Sequence, residues 1–187
     1  MRIIAGDWKG RRLKTVQGLT TRPTSDKVKG AIFNILGSKV QNARILDLFA
    51  GTGNLSFEAL SRGARQAVLV ENDYKAWKVL QENRTLTGAM DQALILKMDA
   101  FNFLQHNKQE KFDIIFLDPP YHQELAGKIL TLFKYNTFLQ PNGVIVLETA
   151  SDEEIPKDIL PLELILTKEY GDTKVWYLQE KVERGEG

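Results

Sequence analysis

The sequence predicts an α/β fold in which a parallel sheet is covered by helices on both faces and ends in an antiparallel hairpin, behind a short basic N-terminal extension. Three observations carry this. From Arg44 onward, apolar runs of strand length alternate with helical stretches. The runs are nearly continuous in apolar residues, the pattern of strands buried on both faces. Strand–helix–strand repeats with crossovers of this length pair their strands in parallel.

The elements follow in order. Residues 1–43 form the basic extension. Arg2-Ile3-Ile4 and Arg12-Leu13 flank Gly6 and Gly10, which suggests a small hairpin or loop. Pro23-Thr24-Ser25-Asp26 starts a helix, with Thr24 or Ser25 as N-cap and Asp26 at the positive end of the helix dipole. Val28, Ala31, Ile32, Ile35 and Leu36 give that helix one apolar face. Gly30 interrupts it at a cost of about 1 kcal/mol that nothing in the sequence explains. Residues 44–181 form the main domain. Its strands are expected at 44–49, 67–71, 93–97, 112–117 and 143–147, with helices at 54–62, 73–86, 100–106 and 124–134. Gly63 suits the end of the first of those helices. Leu162–Tyr170 and Lys174–Gln179, joined by Gly171-Asp172-Thr173, read as the hairpin. Residues 182–187 look like a loose tail.

Composition limits the possibilities. The 187 residues are 43% hydrophobic, enough for one domain to bury a core without staples, and zero Cys excludes disulfides and thiolate metal sites. No metal is expected, because His106 and His122 stand without partners at ligand spacing. The first residues lack a signal peptide's apolar core, and no apolar run nears the roughly 20 residues that cross a bilayer. The chain is therefore expected to be soluble and cytoplasmic, with no membrane partner. The formal net charge of +1 averages two unlike segments. Residues 1–44 carry ten Lys/Arg against two Asp/Glu, a net of +8, while residues 45–187 carry fifteen against twenty-two, a net of −7. A basic arm on an acidic body suits contact with a polyanion, although a solvated surface segment explains the charge equally well.

The chemistry lies at the ends of the expected strands. The first runs into Asp47-Leu48-Phe49-Ala50-Gly51-Thr52-Gly53, where glycines allow a sharp turn and close backbone approach at the carboxyl edge of the sheet. Glu71 ends the second strand twenty residues past Gly51, placed to accept from two ribose hydroxyls. Each alone could be an ordinary turn or surface acid; together they suggest an adenosine-containing cofactor. Ser56 holds the place of a dinucleotide fingerprint's third glycine, and Asp47 would face a cation but repel a pyrophosphate. Both features favour S-adenosylmethionine over NAD(P). Asp99 and Ala100, ending the third strand, suit an adenine amine and ring nitrogen. Asp118-Pro119-Pro120-Tyr121, ending the fourth, is the most specific signal. Two prolines stiffen a loop that offers a carboxylate and a carbonyl to a planar NH2 group, with an aromatic face for its ring. Trp8, Trp77 and Trp176 suit packing, with Trp8 also open as a base-stacking platform.

Taken together, Asp47 to Gly53, Glu71, Asp99 and Asp118 to Tyr121 resemble the motifs of the Rossmann-like, seven-stranded S-adenosylmethionine-dependent methyltransferases that modify exocyclic amines. Arg2-Ile3-Ile4-Ala5-Gly6, Gly10-Arg11-Arg12-Leu13, Arg22 to Val28, Ala31 to Asn34 and Glu58 to Ala64 are similar to the bacterial RsmD family over residues 2–180. Members of that family methylate N2 of one guanine in 16S ribosomal RNA. The resemblance implies S-adenosylmethionine as cofactor and S-adenosylhomocysteine as product. Asp47, Phe49, Gly51, Thr52, Gly53, Glu71, Asn72, Asp99, Ala100 and Asp118 would lie around that cofactor. Asp118, Pro119, Pro120 and Tyr121 would hold a flipped-out guanine, and Arg11, Arg12, Arg22, Lys27 and Lys29 would grip phosphates of ribosomal RNA or the small subunit. A monomer is expected. The sequence departs from the family pattern at Asn54-Leu55-Ser56 and at Gly30. An adenine N6 or a protein glutamine amide would suit the same loop, although the basic arm disfavours a protein substrate and the lack of an added recognition domain disfavours DNA. An NAD(P)-binding oxidoreductase would leave Asp118-Pro119-Pro120-Tyr121 unexplained.

Overall fold

A computed structural model describes residues 1–16, 24–107, 110–136 and 138–181. The elements are α1 (Asp26–Leu36), β1 (Arg44–Asp47), α2 (Asn54–Ser61), β2 (Gln66–Glu71), α3 (Tyr74–Thr87), β3 (Ala93–Lys97), α4 (Ala100–His106), β4 (Phe112–Leu117), α5 (Leu125–Leu132), β5 (Leu139–Ala150), β6 (Leu162–Tyr170) and β7 (Thr173–Glu180). The strands form one sheet in the order β3-β2-β1-β4-β5-β7-β6. The first five are parallel, and β7 inserts antiparallel between β5 and β6.

Side chains alternate across the strands, so neighbouring residues feed two cores. Ile45, Ala67, Leu69, Ile114, Phe116, Val144 and Val146 face a core shared with residues of α1 and α2. Leu46, Val68, Val70, Ile115, Leu117, Ile145 and Leu147 face the core under α4 and α5. This is the expected two-sided covering.

The N-terminal extension is built into the first of those cores. Ile3 and Leu13 are buried there, and Trp8 packs against it, which answers the question of its ring in favour of packing. Residues 1–13 form a loop closed by a single antiparallel bridge between Arg2 and Arg12. That loop is fastened to α2: the amides of Ile4 and Ala5 donate to the Glu58 carboxylate, at 2.8 and 3.1 Å. The amides of Asp7 and Trp8 donate to the Ser61 carbonyl and hydroxyl, and that hydroxyl donates to the Ala5 carbonyl. Gly6 sits at φ +79° with its Cα against α2, where an added Cβ would lie 1.7 Å from the Ser61 carbonyl oxygen. Only glycine fits.

Several expectations are corrected. The buried face of α1 is Val28, Lys29, Ile32, Phe33 and Leu36, whereas Ala31 is half-buried and Ile35 is exposed. The helix is rotated toward Lys29 because that residue has a buried partner. Ser25, not Thr24, is its N-cap, accepting from the Val28 amide. β5 runs well beyond 143–147 in both directions, because Leu139 pairs with Phe112 and the far end pairs with β7. Pro141 and Gly143 hide the first extension from a reading of strand propensity, and the polar Glu148 and Thr149 hide the second. β1 ends at Asp47, two residues early, as the chain turns into the glycine loop. Gly63, at φ +98°, follows the α2 C-cap at Arg62. Residues 182–187 lie outside the described residues.

Candidate active site

The carboxyl edge of the parallel strands collects the expected site residues at the point where the strand order reverses between β1 and β4. Beyond β1 the chain turns through Gly51 and Gly53, both in the left-handed region at φ +55° and +87°. A Cβ on Gly53 would meet the Phe57 ring at 2.4 Å, so this glycine is required for packing. A Cβ on Gly51 would meet nothing within 4 Å, and that stretch of loop faces open space. Asn83 holds the turn from behind, donating to the Thr52 carbonyl at 2.9 Å.

Four of the candidate acids end successive strands of this edge. Asp47, buried on β1, accepts from the Ser56 hydroxyl at 2.7 Å. Ser56, which replaces a fingerprint glycine, is thus the partner of a buried carboxyl group. Burial and the neighbouring Glu71 raise the Asp47 pKa to about 7. Glu71, half-buried at the end of β2, accepts from the Gly51 amide at 2.7 Å and the Asp73 amide at 2.6 Å. Its carboxylate therefore ties the glycine loop to β2, and burial raises its pKa above the usual range. Asp99 caps α4, one oxygen accepting from the amides of Phe101 and Asn102. Ala100 is buried beside it, Phe49 packs against the second core and Asn72 is exposed.

Asp118 follows β4, partly buried, with Pro119 buried, Pro120 exposed and Tyr121 half-buried. Sequence reasoning missed its closest companion. Glu148, 4% exposed on β5, accepts from the Tyr121 hydroxyl at 2.8 Å and the Thr24 hydroxyl at 3.1 Å. The same Thr24 oxygen lies 3.4 Å from Asp118 Oδ2. Burial, then Glu148 and Asp47, push the Asp118 pKa well above the usual carboxylate value; burial and Glu148 likewise raise the Tyr121 hydroxyl. A Glu directly following the apolar run Val144 to Leu147, on the strand next to Asp118, was the signal available.

The basic residues divide. Arg11, Arg12 and Lys27 are exposed, and Arg22 lies outside the described residues. Lys29 is a correction: its side chain is fully buried, donating to the Arg2 carbonyl and Asn54 Oδ1 and lying 3.6 Å from the Glu58 carboxylate. It therefore has no surface to offer a phosphate. Asn54 in turn donates to the Thr24 carbonyl at 3.0 Å, so the segment 54–56 that departs from the family pattern is engaged throughout. His106 and His122 are exposed. Among the described residues no group of acids and histidines is arranged to hold a metal ion, and no helix is long and apolar enough to cross a membrane.

The donor set fits a cationic cofactor. Burial first, and neighbouring acids second, raise the pKa values of Asp47, Glu71 and Asp118 at this edge, and a sulfonium or ammonium group beside them would favour their charged forms. The family model described as "Conserved hypothetical protein 95" matches residues 1–179. "Ribosomal RNA small subunit methyltransferase D" of Haemophilus influenzae is 40% identical over 171 residues, 90% of this chain and 87% of that protein. The chain belongs to the RsmD family. A second relative, "Putative rRNA methyltransferase YlbH" of Bacillus subtilis, is 40% identical over 177 residues, covering 94% of this chain and 96% of its own. Among solved structures, "Putative methyltransferase yhhF from Escherichia coli" superposes with a TM-score of 0.85 at 33% identity, covering 97% of this chain and 98% of that one. The RsmD-family fold thus extends over the N-terminal extension as well as the sheet, and the seven-stranded methyltransferase architecture is that of this chain.

Proposed function

We propose that this chain is an S-adenosylmethionine-dependent methyltransferase that modifies the exocyclic N2 of a guanine in 16S ribosomal RNA. The observation that carries the reading is Asp118 at the end of β4, beside the glycine loop after β1 and backed by the rigid Pro119-Pro120-Tyr121 turn. The names of the RsmD-family relatives support an RNA substrate, and they leave the oxidoreductase alternative without support.

Bound S-adenosylmethionine supplies an electrophilic sulfonium methyl. Gly51, Thr52, Gly53 and Glu71 would hold its methionine and ribose parts, Asp99 and Ala100 its adenine, and Asp47 its positive charge, with Phe49 and Asn72 alongside. Asp118 and the Pro119 carbonyl accept the two N–H groups of guanine N2. That lone pair is delocalised into the ring, so holding both hydrogens out of plane and aiming nitrogen at the methyl is the main task of the loop. As the N–C bond forms and the S–C bond breaks, the surplus N2 proton passes to Asp118 or to water. The Tyr121 ring stacks on the flipped base. Arg11, Arg12, Arg22 and Lys27 meet phosphates.

Mass mapping of guanines in small-subunit RNA, methylated in vitro with the purified protein, tests the reading; modification of adenine or protein alone would overturn it. Asp118→Asn should bind S-adenosylhomocysteine normally yet lose roughly 100-fold or more in turnover.

A further inference from the structure

Asp47 on β1, Asp118 just after β4 and Glu148 on β5 face α1 and α2, and a single hydroxyl lies between the last two. Thr24 Oγ1 has one hydrogen to give and lies 3.1 Å from Glu148 and 3.4 Å from Asp118. The Tyr121 hydroxyl gives its hydrogen to the other oxygen of Glu148. Glu148 thus has two donors, which favour its charged form against the burial that raises its pKa, while among the described residues Asp118 has one shared donor and two acidic neighbours. If both carboxyl groups were ionised, Thr24 could serve only one; turned to Glu148, which Tyr121 already serves, it would leave Asp118 partly buried without a donor among the described residues.

We propose that Thr24 and Glu148 are positioning residues that set the protonation of Asp118 from opposite sides, Glu148 favouring its neutral form and Thr24 its charged form. The proposal rests on the methyltransferase reading for its consequence, because the charged Asp118 is the stronger acceptor for the amino group and the form that can take up its proton. Among the described residues, these groups face Asp118. Glu148 comes from β5, Asp47 from β1, Thr24 from the start of α1 and Tyr121 from its own loop. Lys29 of α1 is one step removed, through Asn54 of α2 to the Thr24 carbonyl. Thr173 of β7 interacts with Tyr121. Both positioning residues also fix geometry: Glu148 holds the Tyr121 ring by its hydroxyl, and Thr24 joins the start of α1 to the catalytic loop.

Removing the charge at Glu148 takes a repelling anion from Asp118, so its pKa falls. Removing the Thr24 hydroxyl takes away a donor to its charged form, so its pKa rises. The two substitutions act in opposite directions, which a merely structural role would not produce. The experiment follows Asp118 by NMR titration of 13C-labelled aspartate carboxyl groups in the full chain, with the resonance assigned by its loss in D118N. Wild type, E148Q, T24V and T24S are compared. The expected outcome is a downward shift in E148Q, an upward shift in T24V and near-wild-type behaviour in T24S, which keeps the hydroxyl. The acidic limb of the methyl-transfer rate profile on small-subunit RNA should move with the titration. Unmoved titrations in both folded variants, or shifts of the same sign, would overturn the proposal. If the titrations move as expected while RNA is not methylated, the functional reading fails and the proton arrangement stands.

Discussion

Asp47 illustrates how a single side chain is held against its own stability. Its folded pKa of about 7 lies far above that of an unfolded aspartate. Between about pH 4 and pH 7 the folded chain therefore holds a proton that the unfolded chain has released, so stability falls as pH rises through that window. Asp47→Asn removes this dependence, since an amide can still accept from Ser56. Denaturant unfolding should find the variant more stable than wild type at pH 8, on the order of 2 kcal/mol, with the advantage shrinking toward pH 4. Part of the slope will persist, because Glu71, Asp118 and Glu148 are also raised. S-adenosylmethionine binding should weaken in the same variant. A residue whose replacement stabilises the fold and impairs the ligand is one kept for the ligand.

Between elements, the decisive contact is the lock of the N-terminal loop and α1 onto α2. Glu58 is fully buried, accepts from two backbone amides and pairs with both Lys29 and Arg62. Removing one member of a buried ion pair strands the other, so Lys29→Met should cost about 3 kcal/mol in urea unfolding. Lys27→Ala, one turn edge away and exposed, should leave stability unchanged and weaken RNA binding. Gly30 is a different case: an added Cβ would touch only Ile4 Cδ1, at 3.5 Å, in ordinary contact. Gly30→Ala should therefore stabilise the protein by up to about 1 kcal/mol, a gain in melting temperature without loss of activity. These contacts also mark where the sequence stopped being readable. The existence of the strands and the Asp118 loop were legible because apolar periodicity and proline geometry are local, although the ends of β1 and β5 were not. Lys29 was not, because its partners Arg2, Asn54 and Glu58 lie 27, 25 and 29 positions away and a lysine in a basic segment looks solvated until its neighbours are known. Glu148 escaped for the same reason: its role depends on register with β4 and on Thr24.

At the scale of the whole molecule, charge is separated by site and not only by segment. Asp47, Glu71, Asp99, Asp118 and Glu148 of the body lie at the carboxyl edge of the sheet, while the arm leaves Arg11, Arg12 and Lys27 exposed after Lys29 is spent inside. If those residues neutralise phosphates, replacing Arg11 and Arg12 by Ala should reduce the slope of log affinity against log salt by about 1 to 2. An unchanged slope would place RNA elsewhere. The sheet order was not legible, since periodicity gives strands but not their neighbours; parallel pairing and the terminal hairpin were, because connection length decides them. The Thr24–Glu148 contact spans 124 positions, and β1 at the sheet centre pairs with β4 some 69 residues later. During synthesis β1, β2 and β3 can pair soon after they emerge, but the centre cannot close until β4 arrives, and the acid pair cannot form until β5 does. Such distant pairing is slow to nucleate. Catalytic competence should consequently come only after β5 has paired, so that a chain released before that point lacks the Asp118–Glu148 arrangement even where its basic arm can already meet RNA.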